Sequence, residues 1–236
     1  MSGRSNIVVL TGAGISAESG LATFRGAGGL WEGHRVEEVA TPEAFARNPE
    51  MVCRFYNDRR RQLLEVEPNE GHRALARLEA EHEGEVLVVT QNVDDLHERG
   101  GSRFLMHMHG ELLKSRCESC GEVAECREDL GLASVCAKCG VGGTLRPNIV
   151  WFGEMPFFLE AIERHLRAAQ LFVAVGTSGQ VYPAAGFAGM ARHFGARVVE
   201  VNLEATGGEE LFHDRWEGKA GEVLPRLVEA ILAGEA

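Results

Sequence analysis

Four thiols stand at one telling spacing: Cys117-x2-Cys120, fifteen intervening residues, then Cys136-x2-Cys139. Zn²⁺ takes four soft ligands in a tetrahedron, and two CxxC turns can each supply two thiolates to one ion. Four thiolates close the coordination sphere, so a zinc ion here is expected to be structural, one per chain, with no position for an activated water. Cys53 and Cys126 are surplus. Cys126 lies between the pairs, where it could exchange in as a ligand or stand as a free thiol.

A second constellation is rich in glycine. The apolar run Ile7–Leu10 leads into Thr11-Gly12-Ala13-Gly14-Ile15-Ser16. Glycines after a first strand let backbone N–H groups approach a pyrophosphate, with a following helix adding its dipole. The third glycine of such a fingerprint would fall at position 17, which is Ala, and no acidic residue stands at the usual ribose offset. A plain tight turn is the competing reading. A second glycine-rich loop follows, Thr23-Phe24-Arg25-Gly26 and then Gly28-Gly29-Leu30-Trp31, in which Arg25 could meet phosphate oxygens bidentately.

Polar residues gather after other apolar runs. Gln91-Asn92-Val93-Asp94 follows Val86–Thr90, Gly176-Thr177-Ser178 follows Leu171–Val175, and Asn202-Leu203-Glu204 follows Arg197–Val201. Each is compatible with a ligand site or with ordinary loop chemistry, an Asx-type turn in the case of Asn-Val-Asp. His109 titrates near neutrality and suits proton transfer. His107, two residues earlier, is read with His72 and His97 as structural. On a helix, Tyr56 and Arg59 share a face, and a phenol beside a guanidinium is a suitable grip for a carboxylate. The alternative is a solvated basic helix with Tyr56 half buried.

The four apolar runs are nearly continuous, as parallel strands buried on both faces require. Helical patterns lie between them, such as those from Gly71 and from Phe158, so the alternation predicts an α/β doubly wound sheet with ligands beyond the strand ends. Two stretches break the alternation. Residues 28–68 carry no strand-like run but hold helix starts at Thr41-Pro42 and Asn48-Pro49, and residues 111–146 hold the four cysteines. A net charge of −11 argues against a general nucleic-acid or membrane-surface binder. No apolar run approaches membrane-spanning length, and the first residues leave no room for a targeting segment. A reducing cytoplasmic location is expected, where paired CxxC motifs mean metal rather than disulfide.

Taken in order, Gly12-Ala-Gly-Ile-Ser, Thr23-Phe-Arg-Gly, Gln91-Asn-Val-Asp, His109-Gly110, the cysteine quartet, Val150-Trp-Phe-Gly-Glu, Gly176-Thr-Ser and Val201-Asn-Leu-Glu make the chain resemble a sirtuin over nearly its whole length. Sirtuins are NAD-dependent protein-lysine deacylases. The resemblance implies a Rossmann-like NAD-binding domain formed by residues 1–27, 69–110 and 147–236, with a small lobe made of a helical insertion (28–68) and a zinc-binding ribbon module (111–146). It implies NAD contacts from Gly12, Ala13, Gly14, Ser16, Thr23, Phe24, Arg25, Trp31, Gln91, Asn92, Asp94, Gly176, Thr177, Ser178, Asn202, Leu203, Glu204 and Ala220. His109 and Asn92 are implied as catalytic, and Val150, Trp151, Phe152, Gly153 and Glu154 as the lining of an acyl-lysine channel. Those aromatics read equally as a buried anchor between lobes. Ala40, Tyr56 and Arg59 resemble the acyl pocket of class III sirtuins, which remove succinyl and malonyl groups and in bacteria usually retain deacetylase activity. In the implied reaction, NAD is consumed: the acyl oxygen attacks the nicotinamide ribose, His109 activates the 2′-hydroxyl, and nicotinamide and 2′-O-acyl-ADP-ribose leave. The implied partners are acylated lysine side chains of proteins, with neither nucleic acid nor membrane. Mono-ADP-ribosyl transfer and a non-catalytic NAD-binding regulatory module are the alternatives.

Overall fold

A computed structural model describes residues 5–21, 30–31, 34–207 and 210–235, with the backbone alone at Leu30 and Trp31. Thr23, Phe24 and Arg25 lie outside the described residues, as does the side chain of Trp31. The strands are β1 (Ile7–Thr11), β2 (Leu30–Trp31), β3 (His34–Arg35), β4 (Val86–Thr90), β5 (Leu105–His107), β6 (Gly110–Cys117), β7 (Val123–Glu125), β8 (Leu145–Ile149), β9 (Leu171–Val175), β10 (Arg197–Asn202) and β11 (Asp214–Glu217). The helices are α1 (Val36–Val39), α2 (Pro42–Arg47), α3 (Pro49–Glu65), α4 (Glu70–Glu81), α5 (Leu96–Gly100), α6 (Leu159–Ala168), α7 (Phe187–His193) and α8 (Ala220–Leu232).

Six strands form one parallel sheet in the order β11-β10-β9-β1-β4-β5. All residues of β1, β4 and β9 are buried. Alternate side chains enter two separate cores: Ile7 and Val9 pack with Leu75, Leu78, Leu224 and Leu227 of α4 and α8, and Val8 and Leu10 with Ile162, Leu166, Phe187 and Ala191 of α6 and α7. Apolar burial on both faces is what continuous runs such as Ile-Val-Val-Leu make possible. From β1 the chain builds outward to β4 on one side and later returns to β9 on the other. The carboxyl ends of β1 and β9 therefore flank the switch point where such sheets bind ligands.

Two short strands of this sheet, β5 and β11, have no counterpart in the four apolar runs; three or four partly polar residues are too few for a periodicity to register. Residues 28–68 likewise contain the two-residue pairing of β2 with β3. Both expected helix starts are present. Thr41 Oγ1 and Asn48 Oδ1 each accept the backbone N–H three residues on, at 3.1 Å, with Pro at the first helical position of α2 and α3. The expected helix after the first glycine turn does not form at residues 13–19. Two single 3₁₀ turns occupy them, ending at Gly20 with φ of 96°, and they are too short to carry an appreciable dipole.

A third core joins α1, α2 and α3 to β6, β8 and the loop that follows, through Val52, Tyr56, Leu63, Leu112, Ile149 and Trp151. The three-stranded antiparallel sheet β7-β6-β8 leads from this core to the cysteines. Among the described residues no helix is long and apolar enough to cross a membrane.

Candidate active site and metal centre

The turns after β1 and β9 interlock. Gly12 N–H donates to Val175 O and Gly14 N–H to Gly176 O, both at 2.9 Å. A Cβ on Gly14 would lie 2.6 Å from Gly176 Cα, and one on Gly176, where φ is 58°, would lie 2.6 Å from Ile15 N. No side chain fits between them, so bare backbone lets the two turns meet at the switch point. The turn is tight, and its residues Gly12, Ala13 and Gly14 also line a cavity.

That cavity, about 480 Å³, is lined by Gly12, Ala13, Gly14, Ser16, Gln91, Asn92, Asp94, His109, Gly176, Thr177, Ser178 and Asn202 at the sheet end. Ala40, Tyr56, Arg59 and Val150, Trp151, Phe152, Gly153 and Glu154 line its other side. Leu203 and Glu204, exposed on the loop after Asn202, and Ala220, buried at the start of α8, stand outside its wall. Gln62, Val181 and Tyr182 line it as well, although isolated polar or apolar residues outside a motif carry no signal in the sequence.

A polar cluster closes the floor. Asn92 Nδ2 donates to Gly12 O and to Ser16 Oγ, each at 3.1 Å, and Ser16 Oγ donates to Asp94 Oδ2 at 2.9 Å. Asp94 Oδ1 accepts the N–H of Leu96 at 3.1 Å, so the Asx turn and the site are built from the same carboxylate. Burial raises the Asp94 pKa to about 6, against the hydrogen bonds from Leu96 and Ser16. Gln91 Nε2 reaches Thr177 Oγ1 at 3.0 Å and Asn202 Nδ2 reaches Thr177 O at 2.9 Å, tying three strand ends together.

His109 follows β5, and its Nδ1 lies 3.1 Å from the carbonyl of Gln91. A carbonyl only accepts, so Nδ1 carries the proton and Nε2 keeps its lone pair. Burial holds the His109 pKa below the ordinary histidine value, outweighing the bond to Gln91. The ring is therefore neutral at pH 7, as a base must be. His72 and His97 are buried behind this floor, and burial depresses both pKa values, that of His72 to about 4.

Tyr56 is fully buried rather than half buried, and its hydroxyl accepts the indole N–H of Trp151 at 2.9 Å. The solvated-helix alternative fails here for a second reason: Arg60 also points inward, donating to Leu112 O at 3.2 Å and Asn57 Oδ1 at 2.7 Å. Of the three consecutive arginines, Arg61 stays outside, on Asp129. Trp151 is both a cavity wall and an interior anchor. The Arg146 guanidinium stacks on its ring at 3.3 Å and holds both oxygens of Glu154 at 2.7 and 2.9 Å. Arg146, in the Arg-Pro that precedes the Trp-Phe-Gly-Glu segment, is absent from the expected residues, since a lone cation in a short strand does not reveal the partner that buries it.

The four expected zinc ligands converge, their sulfurs all within 4.8 Å of one another. Cys117 Sγ lies 3.7 Å from Cys139 Sγ and Cys120 Sγ 3.8 Å from Cys136 Sγ. A tetrahedron with Zn–S bonds of about 2.3 Å requires sulfurs about 3.8 Å apart, so the donor set fits zinc. Each pair sits on a matching knuckle: Gly121 N–H bonds Cys117 O and Gly140 N–H bonds Cys136 O, with φ of 74° and 72°. Cys126 lies outside the cluster, packed with Cys53 and Leu130.

A parallel α/β sheet with a ligand cavity at its switch point and a four-thiolate module beside it defines the class of protein. The Sir2 family matches residues 12–183, and the chain belongs to that family. A Vibrio cholerae protein named NAD-dependent protein deacylase is 54% identical over 233 residues, covering 98% of this chain and 95% of its own. Among solved structures, a Sir2 homologue in complex with NAD superimposes with a TM-score of 0.88 at 40% identity, covering 98% of this chain and 91% of that one. A Sir2 structure with a p53 peptide and NAD⁺ does so with 0.81 at 30% identity, covering 98% and 94%.

Proposed function

We propose that this chain is an NAD-dependent protein-lysine deacylase of class III type, removing succinyl, malonyl and acetyl groups. The observation that carries this reading is one cavity holding a neutral, Nδ1-anchored His109 at the sheet end and the Tyr56/Arg59 pair opposite. Close relatives named NAD-dependent protein deacylase support the general activity.

NAD, as co-substrate, supplies the ribose carbon to which the acyl oxygen adds and the nicotinamide that leaves. Asn92, Asp94 and Ser16 bind the carboxamide end; Gly12, Ala13, Gly14, Gln91, Gly176, Thr177, Ser178 and Asn202 line the path of the remainder. His109 takes the proton of a ribose hydroxyl at Nε2. Val150–Glu154 line the acyl-lysine channel, with Ala40 leaving room beside it, and Tyr56 and Arg59 hold the terminal carboxylate of a dicarboxylic acyl group. Thr23, Phe24, Arg25, Trp31, Leu203, Glu204 and Ala220 complete the NAD contacts on family resemblance. Cys117, Cys120, Cys136 and Cys139 hold zinc as a structural staple. Residues 1–27, 69–110 and 147–236 form the NAD-binding domain, with 28–68 and 111–146 as the helical and zinc-binding insertions.

Product analysis separates this from its rival. Free 2′-O-acyl-ADP-ribose and unmodified lysine support deacylation; ADP-ribose covalently attached to protein, with the acyl group retained, would replace it with mono-ADP-ribosyl transfer.

A further inference from the structure

The turn at Gln91–Asn92 is held by two histidines at once. His109 takes the carbonyl of Gln91, and the Nδ1 of His107 lies 3.2 Å from the carbonyl of Asn92. The other His107 nitrogen, Nε2, lies 2.7 Å from Glu98 Oε1. Both of these partners are oxygens that only accept, so both ring nitrogens must donate, and the side chain must be an imidazolium. The ring is 7% exposed, which makes it a buried cation held by one carboxylate.

We propose that His107 is a positioning residue for the reaction: a standing imidazolium, secured by Glu98, that fixes Asn92 for the nicotinamide end of NAD. The proposal rests on the deacylase reading above for what Asn92 binds, but its geometry does not. The groups facing the ring are Glu98 and His97 from α5, Asp94 from the turn, and Glu111 from β6 with Lys114 beyond it. Burial opposes the charge; Glu98 and Glu111 outweigh it, and the His107 pKa is raised. His97, whose own pKa is far depressed, adds no positive charge. Loss of one proton leaves the remaining one on Nε2, against the stronger acceptor Glu98. The Nδ1 lone pair then faces the lone pairs of the Asn92 carbonyl, and an anchor becomes a repulsion.

The sign follows from the raised pKa. Asn92 is anchored below the folded-state pKa of His107 and released as pH rises through it. Asparagine at 107 would keep a donor near Nδ1 and glutamine one near Nε2, so the two substitutions separate the two bonds.

The test begins with ¹⁵N NMR of the ring in the full chain without NAD. Both nitrogens protonated at pH 7, with a pKa above about 6.5 that falls in Glu98→Gln, is the expected result. Next, kcat/KM for NAD should drop about tenfold in His107→Gln, remain within about threefold in His107→Asn, and lose its alkaline limb in both, since neither amide titrates. A ring neutral at pH 7, or equal losses in the Asn and Gln variants, would overturn the proposal. If the unmutated protein shows no NAD-dependent acyl turnover, the deacylase reading fails instead, and NAD affinity by calorimetry in the same variants must show the same ranking.

Discussion

Trp151 donates its indole N–H to the hydroxyl oxygen of Tyr56 across 2.9 Å, and neither side chain is more than 2% exposed. Tyr56 comes from α3 and Trp151 from the loop after β8, so the phenol is oriented from outside its own helix. Arg146, stacked on the indole and paired with Glu154, extends the same chain of contacts toward the cysteine knuckles. Trp151→Phe keeps the ring and removes the donor. The KM for a succinyl-lysine peptide should rise about fivefold while that for the acetyl peptide stays within about twofold, the effect of one neutral hydrogen bond. Equal rises would mean that the bond only supports packing.

Arg59 is held along α3 by its bond to Phe55 O and by its stacking over the Phe55 ring at 3.4 Å. Arg59→Met keeps the stem and removes the charge. Desuccinylation should fall at least about a hundredfold, as loss of a charge-assisted pair implies, and deacetylation should stay within about threefold. Peptide mass spectrometry reads both; parallel loss would make Arg59 structural.

His109, neutral because burial depresses its pKa, should give a kcat/KM that falls toward acid with a midpoint below about 6.5. His109→Ala should abolish deacylation with Tm little changed. A retained rate would remove His109 from the chemistry.

What the sequence revealed and what it hid divide along physical lines. The β1, β4, β9 and β10 runs were legible because burial on both faces demands unbroken apolar stretches; β5 and β11, short and partly polar, carry no such mark. Pro-preceding caps marked α2 and α3. The cysteine spacing was legible because four bonds to one ion restrict it. The Arg60, Arg146 and His107 placements were hidden, since a buried charge is decided by its partner across the fold rather than by its neighbours in the chain. The 3₁₀ turns at residues 13–19 were hidden for a related reason: glycine spacing specifies close approach, which here serves Gly176 as much as any ligand.

Asp94 bears a stability cost. Its folded pKa of about 6 lies above the usual 3.8, so the folded state holds the proton more tightly. The destabilisation is absent below the unfolded pKa, grows between the two values, and levels off above the folded one at about 3 kcal/mol. The stability of Asp94→Asn relative to the parent, read from chemical denaturation, should therefore improve from pH 4 to pH 7, while deacylation is lost. A constant difference across that range would contradict the buried-carboxylate account.

Cys117→Ser or Cys139→Ser should lower bound zinc, read by elemental analysis, and lower activity through loss of the module's fold. Activity undiminished in a zinc-free protein would show that the site does not depend on the staple.

The central claim is tested most directly by mass spectrometry of matched succinyl-lysine and acetyl-lysine peptides, with and without NAD. NAD-dependent loss of both groups, succinyl faster, is the predicted result. NAD-dependent loss of acetyl alone would contradict the assignment of Tyr56 and Arg59 as a carboxylate grip, and loss that ignores NAD would contradict the account at its root.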